Sequence, residues 1–77
     1  MSRQQRDHQT AVTWIEGEIE NMIRDLGKSN ASSAATSVIT LAYLLRAIDD
    51  NEHRHYRARV DQIYATYNES IKQGAAA

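Results

Sequence analysis

The segment Glu52-His53-Arg54-His55-Tyr56-Arg57-Ala58-Arg59 gathers the residues best suited to chemistry. Arg54, Arg57 and Arg59 offer guanidinium forks that suit phosphate, and Tyr56 offers a ring on which a base could stack. On a helix, however, Arg59 projects well away from Arg54 and Arg57, so the three make no single broad basic face. The simpler expectation is a buried Tyr56 flanked by arginines whose stems lie on the core and whose heads stay in water. Glu52 and His55 also form the Glu-x-x-His spacing of helical di-iron sites. Such a site needs a glutamate from a neighbouring helix. Glu16 and Glu20 are the candidates, but both sit at the edge of the first helix's apolar stripe. His53 and His55 point to different sides of a helix and are no chelating pair within one chain. A metal assembly using Glu52 and His55 across an interface is therefore a minor alternative, and no cofactor is expected.

Other catalytic templates fail. Arg46 and His53 resemble helical ribonucleases in an Arg-x6-His spacing, a match of two residues only. No strand precedes a glycine-rich loop, there is no nucleophile elbow, and the chain has no cysteine. Glu16, Glu18 and Glu20 are spaced by two and split between opposite sides of a helix, so they form no catalytic carboxylate pair. The expectation is a non-enzymatic protein. Trp14 is the prime binding candidate: it projects about 120° from the centre of the nearest apolar stripe, and tryptophan is enriched at interface hot spots. Glu18 lies beside it. Tyr43, Tyr56, Tyr64 and Tyr67 add amphipathic contact area. The partner-binding set is thus Trp14, Glu18, Tyr43, Arg54, Tyr56, Arg57 and Arg59.

The elements that must position these residues are all helical. Val12, Ile15, Ile19, Met22 and Leu26 follow a 3-4-3-4 spacing that predicts a helix over about 8–27. An earlier start is open, since Ser2 with Gln5 fits a capping box and Asp7 is a rival cap. Gly27 is the expected stop, and Ser29 or Asn30 the expected cap of the next helix. That helix, about 31–48, carries a seam of Ala34, Val38, Leu41, Leu45 and Ile48. With almost no charge around its circumference, it should be central. A third stripe, Tyr56, Val60, Ile63, Tyr67 and Ile71, predicts a helix over about 50–73, with residues 74–77 as a frayed tail. The join is ambiguous. Asp49 with Glu52 fits a capping box, yet three arginines early in a new helix would oppose its dipole. The alternatives are a three-helix bundle and a helical hairpin with one long, bent second helix.

Length and charge set the outer limits. Seventy-seven residues hold one domain, and no disulfide or cysteine-zinc site staples it. A chain this short usually needs a staple or a partner, which points to a homodimer completing the bundle. The net charge of −1 gives no global attraction for nucleic acid. Met1–Arg6 and the residues after it are too polar for a signal peptide. The uncharged stretch 29–45 is too short and too polar to span a bilayer. The expectation is a small cytoplasmic all-α protein that binds another protein as a regulator, adaptor or inhibitor. Nucleic-acid binding through Arg54, Arg57 and Arg59 is the alternative.

Overall fold

The computed structural model describes residues 2–76, with side chains through Lys72. Three helices make up these residues: α1 (Arg3–Arg24), α2 (Ser33–Leu44) and α3 (Asp50–Ala76). The chain is a small all-α bundle, and no strand occurs among the described residues.

The first helix starts at the earlier of the two caps. The Gln5 N–H donates to Ser2 Oγ at 3.1 Å, and the Ser2 N–H donates to Gln5 Oε1 at 3.0 Å. Two N-terminal donors that a helix leaves orphaned are thereby satisfied, which moves the start from about residue 8 to Arg3. The helix ends at Arg24, before Gly27, because the Asp25 N–H closes on the Asn21 and Met22 carbonyls. Gly27 does not take the left-handed conformation expected of it; Asn30 does, at φ 63°. Gly27 instead packs beside α3. A Cβ there would stand 3.4 Å from the Tyr67 hydroxyl of α3.

The join between α2 and α3 is a real turn. Arg46 adopts φ 62°. Its N–H donates to the Tyr43 carbonyl at 3.0 Å, and the Ala47 N–H donates to the Ala42 carbonyl at 2.9 Å. These two bonds form a Schellman motif with arginine where glycine is usual. Asp49 then caps α3: the Glu52 N–H donates to Asp49 Oδ1 at 2.8 Å, and the Asp49 N–H donates to Glu52 Oε1 at 3.1 Å. The dipole objection fails because the first turn carries Asp50 and Glu52, and the dipole acts mainly within that turn. At its far end α3 stays helical through Ala76, past Gly74, as the high helix propensity of alanine favours. Ala77, the last residue of the expected tail, lies outside the described residues.

The core consists of Ile15, Ile19 and Met22 from α1, Ala35, Ile39 and Ala42 from α2, Ile48 from the join, and Tyr56 and Val60 from α3. The stripes of α1 and α3 match their sequence periodicity except at Ile71, which lies beyond the core at 52% exposure. That of α2 does not. Its buried residues sit one position after the expected seam, a rotation of about 100°. Ala34, Leu41 and Leu45 face outward, and only Ile48 of that seam is buried. The reason is steric. α2 packs against both α1 and α3, and Ala35 and Ala42 let it approach both, with Ile39 filling the space between. A stripe of leucines would hold the helices further apart.

Two side-chain pairs fix the remaining register. His8 Nε2 lies 2.6 Å from Glu52 Oε2, and the Arg59 guanidinium donates to the Glu16 carboxylate. His8 and Glu16 are about 12 Å apart along α1, and Glu52 and Arg59 about 10 Å apart along α3. α1 and α3 therefore run parallel, with α2 antiparallel to both. The molecule measures 54 × 20 × 18 Å. α3, about 40 Å long, supplies most of the long dimension and continues beyond Tyr67 with Asn68 to Lys72 exposed.

Candidate protein-binding face

The exposed seam of α2 lies beside the outer flank of α1, and together they form an open groove. Along α1 the groove runs from Arg3 through Asp7, Thr10, Ala11 and Trp14 to Glu18. Along α2 it runs from Ala34 through Ser37, Val38, Leu41 and Leu45 to Arg46. The floor is aliphatic and aromatic. Trp14 is 65% exposed, Leu41 55% and Leu45 70%. Single exposed apolar residues are ordinary on a monomer, but a contiguous set around a tryptophan marks an interaction site. Arg3 and Arg46 lie at one end and Glu18 at the other, with Asp7 one turn inward of Arg3.

The structure brings Trp14 and Glu18 of the expected binding set together here. It places the others elsewhere. Tyr56 is buried in the core, so its ring is closed to a base or a partner. Burial pushes its hydroxyl pKa up, and the Glu16 and Glu52 carboxylates add to the effect. Arg59 is half-buried and paired with Glu16. Arg54 and Arg57 remain exposed without it, so the arginine segment presents two guanidinium groups and not three. Tyr43 braces the α2–α3 join. Its hydroxyl donates to Asp50 Oδ1 at 2.6 Å, and its ring stacks on His53 with centroids 4.2 Å apart. The hydrogen bond to the Asp50 carboxylate holds that hydroxyl's pKa above its ordinary value.

Within one chain, Glu52 and His55 are engaged separately. Both Glu52 carboxylate oxygens are engaged, one by His8 and the other by the Asp49 N–H. The hydrogen bond from His8 holds the Glu52 carboxyl below its ordinary pKa, against a smaller opposing effect of burial. His55 is exposed and lies edge-on to the Tyr56 ring at 5.2 Å. Among the described residues no three His, Asp or Glu side chains converge to hold a metal ion. Arg46 and His53, the pair resembling helical ribonucleases, are likewise used structurally, the one in the left-handed turn and the other in the stack on Tyr43.

Sequence reasoning missed Leu41 and Leu45 as surface residues, because it assigned them to the core; Val38, of the same seam, is partly buried at the groove's floor. The usable signal was the ring of small residues elsewhere on α2. Ala35 and Ala42 are two turns apart and flank Ile39, the pattern of a helix wedged between two others. No helix of the structure is long and apolar enough among the described residues to cross a membrane. No family model, curated protein or solved structure matches this chain.

Proposed function

We propose that this chain is a non-enzymatic, cytoplasmic protein-binding module that acts as a regulator, adaptor or inhibitor through the α1–α2 groove. The observation that carries this reading is the apolar floor of Trp14, Val38, Leu41 and Leu45, with arginines at one end of the groove and Glu18 at the other. A groove of this kind suits the apolar face of a helix, with side chains at helical spacing entering between α1 and α2. Trp14 supplies the large, rigid contact that dominates such interfaces.

The reading is tested by placing a photo-crosslinking amino acid at Ser37, inside the groove, and a second at Arg54, outside it. Crosslinks to protein from position 37 that disappear with Leu41→Asp are expected. Crosslinks from position 54 alone would overturn the assignment. So would nucleic-acid binding that falls steeply with salt and is abolished by Arg54→Glu with Arg57→Glu, the behaviour of a phosphate-reading surface.

A further inference from the structure

The groove's rim is self-complementary, and we infer that its occupant is a second copy of this chain, docked antiparallel about a two-fold axis. This inference rests on the protein-binding reading above and names the partner. Because α1 and α2 run antiparallel, Glu18 and Ala34 mark one end of the groove and Arg3 and Arg46 the other. Fifteen residues separate Arg3 from Glu18, about 22 Å of helix. A two-fold axis through the midpoint, near Ala11 and Leu41, lays Glu18 of each copy against Arg3 and Arg46 of the other. The same operation stacks the two apolar floors. In a closed dimer each contact occurs twice, so one surface must satisfy itself, and this distribution of charge does so. The opposite, parallel placement would set Glu18 against Glu18 and arginine against arginine.

Area supports the same occupant. Trp14, Leu41 and Leu45 leave on the order of 400 Å² of mostly apolar surface open, judged from their exposures and ordinary side-chain areas. A standard interface buries about 800 Å² per partner, with a polar rim around an apolar centre. The apolar floor supplies the centre, and Arg3, Asp7, Thr10, Glu18 and Arg46 supply the rim. The result is a four-helix arrangement of two α1–α2 pairs, with the α3 helices outside. The interface thus lies on α1 and α2.

Charge exchange tests the pairing. Sedimentation at micromolar concentration is measured for the wild type, for Glu18→Arg, for Arg3→Glu with Arg46→Glu, and for an equimolar mixture of the two variants. The wild type is expected at twice its monomer mass of 8.7 kDa. Each variant alone places like charges at both ends, and its self-association should weaken by at least about 100-fold. In the mixture every end again pairs opposite charges, so the dimer should return. Circular dichroism checks that both variants are folded; all three positions are on the surface. A monomeric wild type overturns the inference while leaving a crosslink from position 37 to another protein intact. A dimer indifferent to both variants, or variants that do not recombine, overturns the antiparallel pairing.

Discussion

Truncating Ile39 and Leu41 separates the two phases in which α2 could pack. Two residues apart on one helix, these side chains lie about 160° apart around its axis. Ile39 is fully buried between α1 and α3, while Leu41 is more than half exposed. Ile39→Ala removes a buried branched side chain and leaves a cavity, at a cost of about 3 kcal/mol within a usual range of about 2–5. A chain of 77 residues has a total stability of roughly 4–11 kcal/mol at typical values per residue. The substitution should therefore remove a large share of it. Leu41→Ala removes exposed surface and installs a better helix former, so its effect should stay within about 0.5 kcal/mol. Urea unfolding followed by circular dichroism reads both. With a slope of about 1 kcal/mol per molar, Ile39→Ala should lower the midpoint by about 3 M and Leu41→Ala by less than about 0.5 M. The series is run in the Glu18→Arg background, so that loss of self-association is not mistaken for loss of fold. A Leu41→Ala cost equal to that of Ile39→Ala would refute the packing phase, and with it the exposed groove.

Three other outcomes follow from particular contacts. Gly17 lies within α1 with nothing within 4 Å of its missing Cβ, so Gly17→Ala should stabilise by about 1 kcal/mol and raise Tm by about 4–8 °C in calorimetry. The Glu52 carboxyl is held below its ordinary pKa by His8. Its contribution is therefore complete above the unfolded value and lost as pH falls through the lower folded value, and Glu52→Gln should flatten the acid limb of urea midpoints taken from about pH 6 to about pH 3. Arg46 occupies a left-handed conformation that glycine adopts without penalty. Arg46→Gly should raise stability by up to about 1 kcal/mol in the monomeric background while weakening the dimer by sedimentation; a fall in both would count against the Schellman turn.

Trp14 and Glu18 of the candidate site were legible in the sequence, and the failure of the rest has definite causes. Trp14 stood apart because it lies off the stripe of its own helix, and the 3.6-residue period measures that directly. Its neighbours Leu41 and Leu45 were misplaced because the apolar residues of α2 spread around most of its circumference. Periodicity cannot choose a face on such a helix, and side-chain size favours the leucines over Ala35 and Ala42. The turn at Arg46 was hidden for a related reason. Its two backbone hydrogen bonds form on a residue whose type does not announce a left-handed conformation. The arginine segment carried a clear chemical signature, but Arg59 and Tyr56 are used by the fold, one on Glu16 and the other in the core.

The sequence by itself determined the all-α class and most of the faces that α1 and α3 bury, and it offered the caps at Ser2 and Asp49, each beside a rival. Each of these depends on residues within a turn or two of one another, where spacing and local hydrogen bonding suffice. Only the tertiary structure decided which side of α2 faces inward, that α2 and α3 part at Arg46, and that Glu52 and Arg59 pair with His8 and Glu16. Those outcomes require three helices to compete for the same volume. Close packing selects the small face of α2 for the centre and leaves Leu41 and Leu45 outside, beside Trp14.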